Sequence, residues 1–263
     1  MNTFFNSPLP FSKYQAAGND FILIDGRFFP ASIDFTSYFQ KLCHRKFGIG
    51  ADGVIIVALD PEVDFAMRIF NSDGKEAEGC GNGLCIVLQF LNELQFPDRA
   101  YRIRMGNRIL QGRRDGALSI VELGASEEMK LTFDGELHFV HTGAPHLVQF
   151  VDDIENFPLE ERGKEAIQHP SLTCGANLNI AALQGDGSIK VRTFERGVNE
   201  ETFACGTGAA AVAVIASSLF GVKMPLTLQF RGGNLRVWQE NGILVLANWG
   251  VKLFSGWVDI GKT

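Results

Sequence analysis

The chain has 263 residues, 46% of them apolar and 22 of them Phe, enough to fill two ordinary domains or one large one. Its 24 basic and 30 acidic residues give a formal charge of −6, which leaves no cationic excess to hold a phosphate backbone, so nucleic-acid binding is not expected. The amino terminus lacks a basic start followed by an apolar h-region, the most apolar stretch (208–222) is broken by Ser217 and Ser218, and five cysteines is an odd number; membrane association and a secreted disulfide framework are therefore not expected, and a reducing, cytoplasmic compartment fits best.

In chain order, short β-rich runs at 21–24, 54–57, 64–70, 101–103 and 118–121 are separated by Gly, Asn and Asp turn signals, which predicts mixed strands and hairpins. Between them, Cys80-Gly81-Asn82-Gly83 opens a small or apolar run, 84–94, long enough for a helix. The second half repeats this order with runs at 147–151, 178–183, 188–194, 226–230 and 243–246, and with an Ala-rich helical run at 209–220 after Cys205-Gly206-Thr207-Gly208. Such a small-residue helix is expected to be buried by close packing.

The likeness between halves has a register. Cys80 and Cys205 are 125 residues apart, as are Gly50-Ala51 and Gly175-Ala176, and Gly18 and Gly143. Met67-Arg68-Ile69-Phe70 matches Val191-Arg192-Thr193-Phe194 at 124, so the second copy carries one extra residue before its cysteine. The expected fold class is α+β, with two pseudo-symmetric half-domains that each wrap a mixed sheet around a central helix. One half-domain spans 1–124, is rejoined by 251–263 and carries Cys80; the other spans 125–250 and carries Cys205.

Each half thus places a cysteine just before a glycine turn and the first turn of a helix. Unpaired N–H groups and the positive end of the helix dipole favour an anion there, either a thiolate or a bound carboxylate. They also draw a thiol pKa from about 8.5 toward neutrality. If the halves face one another across a pseudo-two-fold axis, two thiols flank one cleft, and a proton can leave one face of a carbon and return on the other. For one cysteine alone a buried turn residue would be the ordinary explanation; two in matching registers favour chemistry. A zinc site is a weaker reading, because no paired CxxC or HxxxH accompanies Cys80 and Cys85. A Cys80–Cys205 disulfide would be oxidative inactivation of the same site.

The segments Gly18-Asn19-Asp20-Phe21, Gly48-Ile49-Gly50-Ala51-Asp52, Phe70-Asn71-Ser72-Asp73-Gly74, Cys80-Gly81-Asn82-Gly83, Gly143 through His146, Glu195-Arg196-Gly197 and Ala204 through Gly208 resemble the signatures of the diaminopimelate epimerase family over nearly the whole chain. The resemblance implies a cofactor-independent, metal-independent epimerase that converts LL-2,6-diaminopimelate to the meso form for lysine and peptidoglycan synthesis. It implies Cys80 and Cys205 as the two bases, paired with His146 and Glu195 respectively. Gly81, Asn82, Gly206 and Thr207 would hold the reacting carboxylate, and Asn19, Asn71, Asn177, Glu195 and Arg196 the remaining groups; Arg suits a distal carboxylate because its planar fork binds bidentately. The implied partners are a small amino acid and a second copy in a homodimer.

Ordinary explanations exist for several of these residues. Asp73-Gly74 reads first as a turn, and Arg196 taken alone as a surface ion pair. His44, His138, His141 and His169 match no motif, and Cys43, Cys85 and Cys174 receive no role. The chain departs from the family pattern at Gly53 and Ala144, where side-chain amides are expected, and by one residue added between Glu195 and Cys205. Two small residues lead us to expect looser discrimination, extending to a shorter acidic amino acid such as glutamate. The alternatives are a proline-racemase-like enzyme, which would want a small apolar pocket in place of Arg196 and several Asn residues, and a non-catalytic carboxylate-binding relative, which would not need both cysteines.

Overall fold

The computed structural model describes residues 8–28, 36–77 and 79–259. The chain divides into two units, Met1–Ser119 with Trp249–Thr263, and Ile120–Asn248. Both are α+β.

In the first unit the strand Leu9–Ala16 turns at Ala17 and Gly18, both at positive φ, into Asn19–Asp25. Asn19–Asp25 runs parallel to Gly53–Leu59, which continues antiparallel into Phe65–Asn71. Tyr101–Met105 lies parallel to Phe65–Asn71 and pairs on with Arg108–Asp115. The run Gly-Val-Ile-Ile-Val-Ala-Leu of Gly53–Leu59 is uninterrupted and β-branched because both of its faces are covered, with only Leu59 exposed. The last strand, Val251–Val258, pairs with Leu9–Ala16, so the carboxyl-terminal segment belongs to this unit.

Helix α1 (Thr36–Cys43) seats Phe39 against Phe70, ring centroids 4.6 Å apart. Helix α2 (Gly81–Glu93) is buried continuously from Gly81 to Leu88 and again at Phe90 and Leu91. A helix apolar on all sides must be enclosed. Each of its fully buried Leu and Ile side chains contributes about 1.5–3 kcal/mol by leaving water.

The second unit repeats the plan. Met129–Asp134 pairs with Leu137–His141, which pairs with Pro145–Phe150. Pro145–Phe150 runs parallel to Asn177–Leu183, which pairs antiparallel with Ile189–Glu195. Leu226–Phe230, Gly233–Glu240 and Ile243–Trp249 follow. Helix α3 (Leu159–Ile167) lies against Phe194: a Cβ on Gly163 would stand 2.2 Å from the Phe194 ring, so only glycine admits this approach. Helix α4 (Gly206–Phe220), made of Gly, Ala, Val and Ile through the nine positions after Thr207, is buried over most of its length and stops at Gly221, whose φ of 65° is the left-handed conformation that caps helices.

The strand registers refine the repeat. Gly53–Leu59 and Phe65–Asn71 match Asn177–Leu183 and Ile189–Glu195 at an offset of 124. Tyr101–Met105, Arg108–Asp115 and Leu118–Gly124 match Leu226–Phe230, Gly233–Glu240 and Ile243–Trp249 at 125. Two single-residue steps account for the changes. One is Asp52, an extra residue of the first copy that stands between Ala51 and the strand beginning at Gly53. The other lies in the turn of the second copy: Phe70 pairs with Glu76, whereas Phe194 pairs with Glu201.

Candidate functional site

Cys80 is the N-cap of α2, extended at φ −154° and ψ 119°, and its Sγ accepts the Gly83 N–H at 3.3 Å. The Cys80 N–H reaches Met105 Sδ. Asn19, first residue of its strand, faces the thiol with Oδ1 at 3.4 Å from Sγ. The orientation of that amide is fixed behind it, because Asn19 Nδ2 donates to Asp52 Oδ2 at 2.8 Å and a carboxylate only accepts. Asp52 in turn accepts Arg45, which also bridges to Asp20. Asp20 takes the buried ammonium of Lys13 as well, and Lys13 donates to the Gly50 carbonyl. Burial alone would raise the Asp20 carboxyl; Arg45 and Lys13 outweigh it and hold the group below its ordinary value. Gly81 and Asn82, the first two residues of α2, are buried.

Cys205 caps α4 in the same manner, with φ −124° and ψ 118° and Sγ accepting the Gly208 N–H at 3.4 Å. Cys205 is buried, with 6% of the residue exposed. Thr207 places Oγ1 3.5 Å from Sγ, and its carbonyl accepts the Thr142 hydroxyl. Beyond Thr207 lies a fully buried polar network. His146 Nε2 is 2.9 Å from Thr207 Oγ1, and His146 Nδ1 is 3.0 Å from Asn179 Nδ2. Asn179 Nδ2 also donates to the Leu147 carbonyl, and Asn179 Oδ1 accepts the Thr193 hydroxyl at 2.9 Å. Burial, with smaller contributions from His141 and Arg196, pushes His146 down to about 3, so its ring is neutral.

Other residues singled out in the sequence sit near these two groups. Asn177 is buried and its Oδ1 accepts the Arg196 N–H at 2.8 Å. The Arg196 guanidinium donates to the Cys174 carbonyl and forms no ion pair among the described residues, so the expected surface ion pair is absent there. Glu195 accepts the Thr202 hydroxyl at 2.5 Å. Asn71 is exposed at the end of its strand, where its backbone closes the turn through Asp73 and Gly74. Gly206 and Thr207 open α4. Among the described residues no cluster of three His, Cys, Asp or Glu is placed to hold a metal ion, and no helix is long and apolar enough to cross a membrane.

One expectation about pocket width does not hold. A Cβ on Gly53 would stand 2.4 Å from the Phe70 carbonyl and 3.1 Å from the Phe21 ring, so that position is filled by backbone and offers no void. With Gly53 closed, only Ala144 remains in favour of a shorter substrate such as glutamate, and one small residue does not carry that reading.

Asp52, Asn179 and Thr193 are functional candidates without a role in the sequence reading. The signal for Asn179 and Thr193 was present: at the offset of 124 they stand opposite Ile55 and Ile69, and a polar residue where the other copy is aliphatic needs a reason.

A family profile described as diaminopimelate epimerase matches residues 11–127 and 138–247. The chain belongs to the diaminopimelate epimerase family. The diaminopimelate epimerase of Flavobacterium psychrophilum is 35% identical over 240 residues, covering 88% of this chain and 91% of that protein. That of Synechococcus elongatus is 34% identical over 277 residues, covering 96% and 99%. Among solved structures, a PhzF-family phenazine biosynthesis protein of Bacillus anthracis has a TM-score of 0.75 at 14% identity, covering 96% of this chain and 99% of that one. A hydroxyproline epimerase of Agrobacterium vitis with bound trans-4-hydroxy-L-proline has a TM-score of 0.64 at 15% identity, covering 98% and 94%. These structures share the fold. As a member of its family the chain is an isomerase.

Proposed function

We propose that this enzyme inverts one α-carbon of LL-2,6-diaminopimelate by two-base proton transfer, with Cys80 and Cys205 as the acid–base groups. The observation that carries the reading is that each thiol is the N-cap of its unit's buried helix and accepts an amide N–H of the first turn. In the forward step the α C–H bond breaks, its electron pair stays on carbon and its proton forms an S–H bond on one cysteine. The opposite thiol then gives its proton to the other face, and the carbon is inverted. Negative charge spreads into the α-carboxylate, where the amides at Gly81, Asn82, Gly206 and Thr207 are suited to receive it. Asn19, Asn71, Asn177 and Arg196 bind the distal amino and carboxylate groups, with Arg196 supplying the positive charge. Glu195 and His146 complete the set, His146 through Thr207. The reaction as proposed uses no cofactor, and the setting is cytoplasmic lysine and peptidoglycan precursor synthesis by a homodimer.

Exchange of the α-proton with D2O, followed by mass spectrometry on LL-diaminopimelate, tests the reading. General acid–base groups contribute about 100- to 10,000-fold, so Cys80→Ser and Cys205→Ser should each lose inversion on that scale. A folded variant of either kind that inverts at the wild-type rate would sink the two-base assignment.

A further inference from the structure

Each unit carries a short hairpin just ahead of its helix-cap cysteine, and the two hairpins differ at a matched pair of positions. Glu195 ends its strand where the first copy has Asn71, at the offset of 124, and Thr202 stands where the first copy has Ala77, at 125. The strand pairing supports both matches, since Thr193 pairs with Thr202 as Ile69 pairs with Ala77. The two positions change together. Where the strand ends in an amide, the return strand offers a methyl group; where it ends in a carboxylate, the return strand offers a hydroxyl. That hydroxyl is used, because Thr202 Oγ1 donates to Glu195 Oε1 at 2.5 Å. A hydroxyl bonded to a carboxylate at this distance belongs to the stronger class of hydrogen bond.

The register shows where the bond draws the carboxylate. Residues paired across antiparallel strands share a face, as do alternate residues along one strand. Thr193, Glu195, Glu200 and Thr202 therefore lie on one face of the hairpin, with Glu200 directly opposite Glu195 and Thr202 diagonal to it. Like charges directly opposite repel. Glu200 is exposed and Glu195 half-buried, so repulsion from the one and the donor at Thr202 act in the same direction. Both move the Glu195 carboxylate away from the turn and toward the strand from which the chain continues, through Phe203 and Ala204, to Cys205.

The turn holds the backbone on either side of Glu195. It has four residues, 196–199, where the first copy has three, 72–74. Asn199, at φ 59°, donates its N–H to the Glu195 carbonyl at 2.7 Å, and the Arg196 N–H is taken by Asn177. With the backbone pinned, the side-chain torsions of Glu195 are what remain to be set, and Thr202 grips the far end of that side chain.

We propose that Thr202 is a positioning residue for turnover: its hydroxyl holds the carboxylate of Glu195 in the orientation that serves the reaction at Cys205. The inference rests on the two-base reading above, which pairs Glu195 with that cysteine. Thr202 acts through Glu195 and touches no reacting atom. Glu195 has further interactions, and Thr202 works in addition to them, so its loss slows the reaction and leaves a measurable rate.

A cross-strand pair of this kind can also do no more than steady a hairpin, and the two roles separate by experiment. Thr202→Val keeps the shape and removes the hydroxyl; Thr202→Ser keeps the hydroxyl and removes the methyl group. The full chain of each is assayed for inversion of LL-diaminopimelate, with urea denaturation alongside to give the folded fraction. For Thr202→Val, kcat per folded molecule should fall roughly 10- to 100-fold, the scale of a misplaced catalytic group, while KM stays within about threefold because the groups that bind the distal end are untouched. Thr202→Ser should keep kcat within about threefold of wild type, since a positioned hydroxyl is all that the role needs. If Thr202→Val does not fold, Thr202→Ala installs the residue that the first copy carries at this position and should show the same fall in kcat. A folded Val or Ala variant with the wild-type kcat, an equal loss in Thr202→Ser, or a loss confined to KM overturns the proposal. A wild-type enzyme that inverts diaminopimelate beside an unaffected Thr202→Val removes Thr202 alone, whereas a wild-type enzyme that exchanges no α-proton overturns the epimerase reading and this role with it.

Discussion

His146 makes the acid side of the stability curve predictable. The ring is fully buried, neutral and held by two hydrogen bonds, with its folded value pushed from 6.5 down to about 3. A base whose pKa falls on folding binds more protons in the unfolded chain, so stability is complete above 6.5 and is lost as pH falls toward the folded value. At pH 5 the loss follows from the unfolded value alone, provided the folded one lies well below 5: RT ln(1 + 10^1.5) is about 2 kcal/mol, against less than about 0.1 kcal/mol at pH 7.5. Replacing His146 by Gln keeps an acceptor for Asn179 and a donor for Thr207 but removes the titration. Urea denaturation of wild type and His146→Gln, run in parallel between pH 7.5 and pH 5, isolates the effect, since the surface histidines and carboxylates are common to both. The wild-type advantage should shrink by about 2 kcal/mol over that interval. A difference that stays flat with pH would refute the neutral, buried assignment of His146.

Three further outcomes are expected. Gly208→Ala drives a Cβ to 2.4 Å from a locked amide oxygen, while Gly83→Ala meets the flexible end of Ile55 at 3.1 Å; the first should cost about 1–3 kcal/mol in urea denaturation and the second less. Gly163→Ala sets a Cβ 2.2 Å from the Phe194 ring and should cost a similar ~1–3 kcal/mol, with α3 losing hydrogen-exchange protection first. Arg196→Met removes a guanidinium with no carboxylate partner among the described residues, so folding should change little while KM for diaminopimelate rises roughly 10- to 150-fold, the equivalent of losing a charge-assisted bond worth about 1.5–3 kcal/mol. An unchanged KM would remove Arg196 from the binding set.

Helices α2 and α4 were legible because a cysteine–glycine start and a long apolar run are local signals, and both begin one residue after their cysteines. Central strands such as Gly53–Leu59 were legible for the same reason. The outer strands were not. Arg108–Asp115 carries Arg108, Arg113, Arg114 and Asp115 among its eight residues, with buried positions at Leu110 and Gly112 only, so its hydrophobic pattern is faint. Helix α3 buries Leu159, Gly163 and Ala166 beneath a charged surface and includes a glycine that propensity would exclude. At the thiols, the repeat pointed to both cysteines. The side chains beside them were hidden, because Asn19–Asp52 and His146–Asn179 each join residues 33 apart at neighbouring parallel strands, Asp52 just ahead of its own, and periodicity along one strand cannot show what faces it on the next.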